Sequence, residues 1–341
     1  MINQPLKRLF VVAGVLLTSL IALEVAVRSW GFSQPHIYDP IYTAFDRHGT
    51  IPYVHKPNLA QARARGLAII NTDSLGLRTK TAGLLYGPKQ PNEYRIAIVG
   101  DSCTFGEGVR NTADTFAQVL EDELNEPPQA LKVKVFNYGA SAYSVKEMAA
   151  TLQYRMLDIE PDLVMMAIVP SDFNLARTPL IDEAGYLISH RMSFVSGLSS
   201  TASQVIRNAH LLYVLRAFAV PLFIKPVDIM QVMSRGEIPE SYHYIKHFKE
   251  TAEQGRLSYM IVLLPLLDNS WGPVPDQLTR DSIGYVDLSF LVKDFTREQY
   301  RASPFDPHPS AAVHRRIGQE LATVLQRSAF SARDHHEDGR Q

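Results

Sequence analysis

The sequence predicts an α/β protein, a three-layer α/β/α sandwich around a parallel sheet, with one membrane-spanning helix ahead of it. Three observations carry this expectation. Short, continuous apolar runs that end in turn residues recur between Arg95 and Leu288. Segments of helical periodicity alternate with them, and a single long apolar stretch lies near the N-terminus. A run that is apolar at consecutive positions reads as a strand buried on both faces, the condition of a parallel sheet. Strands alternating with helices place those helices on both sides of that sheet.

The first element is the apolar stretch from Leu9 to Val27, whose only charge is Glu24 and which follows Lys7 and Arg8. It is just long enough to cross a bilayer as a helix. A cleaved signal peptide would show small residues in an A-x-A pattern after the run, and there is no clean one. A buried core helix would show a polar face, and none appears before Glu24. Residues 1–31 are therefore read as a signal anchor. Glu24 sits near the far end, where its carboxylate reaches the interface. Lys7 and Arg8 keep the N-terminus cytoplasmic, so in a bacterium the chain would be a single-pass inner-membrane protein with its main domain on the periplasmic side.

Residues 32–330 form the expected main domain. Its start, 32–94, is rich in Pro and Tyr and reads as an irregular cap, with Asn71–Arg78 a turn-rich loop. Ile96–Val99 is the first buried strand, ending in Gly100. A helix follows with Asp114 as its expected N-cap and apolar Phe116, Val119, Leu120 and Leu124. Val133–Phe136 is the second strand. Ser144 to Ile159 is a helix opened by a capping box of Ser144 and Glu147. Leu163–Val169 is the third strand. After an insertion at 174–236 come a helix at Glu240–Gln254, strands at Leu257–Leu264 and Tyr285–Leu288, and a helix at Pro309–Gln326 with Pro309 suited to its first turn. Within the insertion, Leu211–Ile224 is too short and too interrupted by Arg216 and Pro221 to span a membrane. It is a helix packed on the core, or else a lid or a membrane-resting segment. The polar tail 331–341 is expected to be disordered, with His335 and His336 solvated.

Composition narrows the function. Apolar residues are 46% and charged residues 20% of the 341, enough for a full core, and the formal net charge of -1 offers no basic surface for nucleic acid. The single cysteine, Cys103, allows no internal disulfide. No cofactor motif is present. Gly106 and Gly108 do not have the spacing of a phosphate-binding Walker loop, and no G-x-S-x-G elbow occurs.

The chemistry collects at strand ends, where open parallel sheets bind ligands. The first strand ends in Gly100-Asp101-Ser102, the second at Gly139, the third at Ser171-Asp172; Asp306 and His308 come just before the last helix. A serine hydroxyl becomes a nucleophile when a base takes its proton, and His308 can be that base. Asp306, two residues away on an extended loop, can hold the other ring nitrogen. Backbone N–H groups of Ser102 and Gly139 are suited to hold an oxyanion. The bland alternatives are a Ser102 that only caps the next helix, a His308 that only starts one, a Cys103 that is a small buried thiol, and an Asp172 that is structural.

Gly100-Asp101-Ser102-Cys103-Thr104-Phe105-Gly106-Glu107-Gly108-Val109, Asn137-Tyr138-Gly139 and Asp306-Pro307-His308-Pro309 together resemble the three blocks of the SGNH, or GDSL, hydrolase family. Asn71–Arg78 and the anchor resemble a bacterial membrane-anchored subgroup. The resemblance covers Asn71 to Leu325 apart from the insertion. It implies a flavodoxin-like sheet, the SGNH hydrolase fold, and a Ser102, His308, Asp306 triad. The family has Asn before Asp after the third strand as a third oxyanion donor; here Ser171 stands there, with Asn174 as the alternative donor. The implied activity is ester hydrolysis, removing acyl groups, O-acetyl groups among them, from a cell-envelope or exported glycan. An O-acyltransferase using the same triad, and a non-catalytic binding or assembly protein, are the competing readings. The expected partners are an ester-bearing substrate and the membrane.

Overall fold

The computed structural model describes residues 4–47, 49–126, 131–188, 200–223, 229–267 and 270–327. The tail with His335 and His336, and Ile224, lie outside them. The chain divides into two units, 1–37 with 194–226, and 38–193 with 227–341.

The larger unit is built on five parallel strands: β1 (Glu93–Gly100), β2 (Lys132–Asn137), β3 (Leu163–Ile168), β4 (Ser258–Leu263) and β5 (Tyr285–Asp287), in the order β5-β4-β3-β1-β2. Alternation along β1 explains the continuous apolar runs. Ile96 and Ile98 face one layer, with α2 (Phe116–Leu124) and α5 (Ala311–Leu325); Ala97 and Val99 face the other, with α3 (Val145–Thr151) and α4 (His243–Gln254). Both faces are covered, so every position along these strands favours an apolar side chain. The strand order reverses between β1 and β3, and a ligand crevice is expected beyond the carboxyl ends there. α1 (Ser102–Phe105) begins at that point.

Local expectations shift in informative ways. Asp114 does not cap α2: it closes a short turn, Thr112–Asp114, and Thr115 takes the N-cap position. The capping box of Ser144 and Glu147 is present, and the helix it opens passes into a π turn at Leu152–Met156 before ending at Ile159. Pro309 is not in the first turn of α5. It ends the strand Asp306–Pro309, and Ser310 caps α5 instead. The region 32–94 is more regular than expected. Tyr42–Arg47 pairs with Ile51–His55, and Ala62–Arg63, Ile69–Thr72 and Arg78–Thr79 form a small antiparallel sheet. Asp73 organises the turn after it by accepting the N–H groups of Leu75 and Leu77, both at 2.8 Å.

In the smaller unit, the helix Gln4–Trp30 is long and apolar enough to cross a membrane. Glu24 accepts the N–H groups of His210 (2.9 Å) and Leu211 (2.7 Å) and pairs with Arg28 at 2.8 Å. It thereby satisfies the first donors of the helix His210–Phe223, which a helix end otherwise leaves orphaned. That helix falls in the same unit as the N-terminal one.

Candidate active site

Ser102 is the first residue of α1, and the helix is capped by its neighbour. The Asp101 carboxylate accepts the N–H of Cys103 at 2.8 Å. Capping is therefore Asp101's task; the Ser102 hydroxyl lies 3.4 Å from the other Asp101 oxygen, Oδ2, and also faces a second group. That group is His308, whose Nε2 lies 3.0 Å from Ser102 Oγ. Asp306 and His308 sit on one strand of a hairpin, Arg301–Ser303 with Asp306–Pro309. Residues two apart on a strand share a face, so the carboxylate meets the ring beside it. Asp306 Oδ1 is 2.6 Å from His308 Nδ1 and accepts the His308 backbone N–H at 3.1 Å.

The electrostatics follow from burial and partners. Burial pushes the Asp306 carboxyl up, but the hydrogen bonds and charge of His308, with Arg65 beyond, hold it below its ordinary value. Burial pushes His308 down, and the bond to Asp306, with the charges of Glu107, Asp306 and Asp101, outweighs it and holds the imidazole above 6.5. Cys103 is buried, and burial with the Asp101 and Asp172 charges raises its thiol well above the ordinary value. It is a neutral thiol, poor as a nucleophile.

The remaining expected donors are placed differently. The Gly139 N–H is already committed: it donates to Asn137 Oδ1 at 2.9 Å, while Asn137 Nδ2 donates to the Thr104 carbonyl at 2.9 Å. Together they clamp the end of β2 against α1, so the structure does not offer the Gly139 N–H to a ligand. Ser171 is exposed and its hydroxyl accepts from Arg177 at 2.9 Å. Asn174 uses its side-chain oxygen on the N–H of Ala176, at 3.1 Å. Asp172 is fully buried, accepts the Val169 N–H at 2.8 Å and pairs with Arg177, a structural role. Arg177 also reaches Asp101, at 2.9 Å. Three residues after Gly139, Ala142 is half-buried with φ 61, a left-handed backbone that side chains disfavour.

Several residues at the site were not singled out from the sequence. Glu107 Oε2 lies 3.4 Å from His308 Nε2, and Ser141 donates its hydroxyl to Glu107 Oε1. Arg78 is buried and donates to the carbonyls of Phe105 (3.1 Å), Gly106 (2.6 Å) and Val109 (2.6 Å). Gly66, with φ 70, passes so close to Asp306 and Gly108 that a side chain there would overlap both. A signal existed for the first two: Arg78 closes the Asn71–Arg78 motif, and Glu107 lies between two glycines. Among the described residues, no group of three or more His, Cys, Asp or Glu could hold a metal ion.

No family model matches the chain, and no curated protein matches it. Solved structures similar to it include a lipolytic protein of the G-D-S-L family from Desulfitobacterium hafniense, at 14% identity and TM-score 0.41 over 68% of this chain and 99% of that one. Another G-D-S-L lipolytic protein, from Veillonella parvula, matches at 14% identity and TM-score 0.40 over 69% of this chain and 99% of that one. A two-domain esterase active on acetylated mannans matches at 12% identity and TM-score 0.41, over 69% of this chain and 49% of that one.

Proposed function

We propose that the protein is a serine ester hydrolase of the SGNH type. The observation that carries this reading is the unbroken line from Ser102 Oγ through His308 to Asp306, with contacts of 3.0 and 2.6 Å, at the strand-order reversal of a parallel sheet. In this reading Ser102 Oγ attacks the ester carbonyl and His308 Nε2 takes its proton. Asp306 holds the tautomer and stabilises the imidazolium. The leaving alkoxide then takes the proton from Nε2, and water repeats the sequence to free the acyl group.

The developing oxyanion needs donors fixed in advance. The Ser102 N–H, at the start of α1, is one. The Ala142 N–H is the second in this reading, because the Gly139 N–H is spent on Asn137 and the Ala142 backbone is held in a disfavoured conformation beside Ser141. Strain of that kind collects at functional sites. The substrate class is an acyl ester, an O-acetylated cell-envelope or exported glycan being the form that suits an enzyme anchored through Gln4–Trp30 with its site outside the cytoplasm.

The test is labelling of the full chain, in detergent, by a fluorophosphonate probe, followed by acetate release from acetylated polysaccharides. Wild type should label, and Ser102→Ala should not. Equal failure of both, with folding confirmed by circular dichroism, sinks the esterase reading.

A further inference from the structure

We propose that Glu107 is a second acidic partner of the base: it binds the Nε2 side of His308, beside Ser102, and sets the pH at which the base becomes available. This rests on the reading of Ser102 as nucleophile and His308 as base.

The placement follows from the backbone. α1 lasts a single turn because Gly106 adopts φ 85 and reverses the chain. The N–H groups of Gly106 (3.0 Å) and Glu107 (2.9 Å) both return to the Ser102 carbonyl, which brings residue 107 back beside residue 102. Such a left-handed turn is the ordinary use of glycine at a helix end. Arg78 then pins the reversed loop through the carbonyls of Phe105, Gly106 and Val109. The Asn71–Arg78 motif and the Gly106-Glu107-Gly108 segment are thus two parts of one device that presents Glu107.

The side chain is held as firmly as its loop. Glu107 is 2% exposed. Ser141 donates to its Oε1, and the Ser141 hydroxyl in turn receives the Tyr42 O–H at 2.6 Å. That chain orients the carboxylate so that Oε2 meets His308 Nε2 at 3.4 Å. The carboxylate is thereby fixed in place with Oε2 turned to the ring.

The charged groups facing His308 come from several elements. Asp306 lies on its own hairpin strand, Asp101 ahead of α1, and Glu107 after it. The Arg65 cation faces Asp306 and Glu107, and Arg78 faces Glu107. His314, on α5, is kept neutral by its own burial. Within this set Glu107 is the carboxylate that meets the nitrogen which receives the serine proton. When the Oγ–H bond breaks and the Nε2–H bond forms, the new N–H lies within reach of a carboxylate, so the imidazolium is stabilised on both sides. The same contact holds a proton on Nε2 at rest, so the base is freed only at higher pH.

The experiment is the rate of fluorophosphonate labelling of Ser102 against pH, in the full chain, for wild type and Glu107→Gln. Gln is isosteric and keeps an oxygen for Ser141. The midpoint should fall by about one pH unit in Glu107→Gln, with a slower plateau rate. An unchanged midpoint in a variant that still labels overturns the inference. If Glu107→Gln does not fold, Glu107→Asp, which withdraws the charge from the ring, is read the same way: a lower midpoint supports the proposal and an unchanged one overturns it. No labelling of wild type at any pH refutes the triad reading itself, a result distinct from either.

Discussion

At the scale of single residues, Arg78 shows how a buried cation becomes structural. Burial pushes its guanidinium down to about 9, yet it sits against three carbonyls at the end of α1 and the loop beyond. Truncating it would leave those acceptors unsatisfied in the interior. Arg78→Ala should therefore destabilise the domain by at least about 2 kcal/mol, with labelling of Ser102 lost even under conditions where the chain remains folded. Urea unfolding and probe labelling together check this; a stable variant that labels normally would show the loop holds itself. The closeness of Asp306 to His308 was legible in the sequence because two positions on one extended segment share a face, and Ser102 was legible as a strand end. Arg78 and Glu107 were not, because their roles depend on a chain reversal at Gly106 and on contacts between segments 27 to 31 residues apart. The Gly139 N–H differs in being taken locally, by the side chain of Asn137 two residues away.

At the scale of elements, the contact between α2 and α5 contains a hidden cap. Phe116 opens α2, and its N–H, which no helical carbonyl can receive, donates to His314 Nδ1 on α5 at 3.2 Å. Burial pushes His314 down to about 3, and His55, stacked on Phe105 in the Ile51–His55 strand, likewise to about 3. A ring that must stay neutral in the folded state contributes stability that is fully present above the unfolded value of about 6.5. That stability is lost as pH falls from about 6.5 towards 3, because the unfolded chain binds the proton first. His308 has the opposite sign: its raised value gives stability present below about 6.5 and lost as pH rises through the folded value. The melting temperature should therefore drop as pH is lowered from about 6.5, and His314→Asn, which keeps an acceptor but cannot titrate, should flatten that drop. An identical slope in the variant would remove His314 from the account. The strands were legible because burial on both faces leaves an unbroken apolar signature. The hairpin of Tyr42–Arg47 and Ile51–His55 was not, because its buried members include Tyr42, Tyr53 and His55, whose polar tips disguise a core position.

At the scale of the whole molecule, the N-terminal helix is the feature that the parallel-sheet unit does not contain. Gln4–Trp30 runs 27 residues, and at 1.5 Å per residue that exceeds the roughly 30 Å of a bilayer's hydrocarbon core. Its apolar side chains, Leu9, Phe10, Val11 and Leu17 among them, are about 60% exposed in the isolated chain, far more than a soluble protein leaves open along a full helix. Glu24, the one charge in the stretch from Leu9 to Val27, is answered from within the same unit by the N–H groups of His210 and Leu211 and by Arg28, so it does not bar insertion. In a bacterial host the full chain should remain in the membrane pellet after alkaline carbonate washing, whereas a chain lacking residues 1–31 should not. An alkaline phosphatase fusion after Gln341 should be active, because the enzyme matures only where disulfides form. A full chain released by carbonate would refute the anchor, and an inactive phosphatase on a retained chain would reverse the orientation.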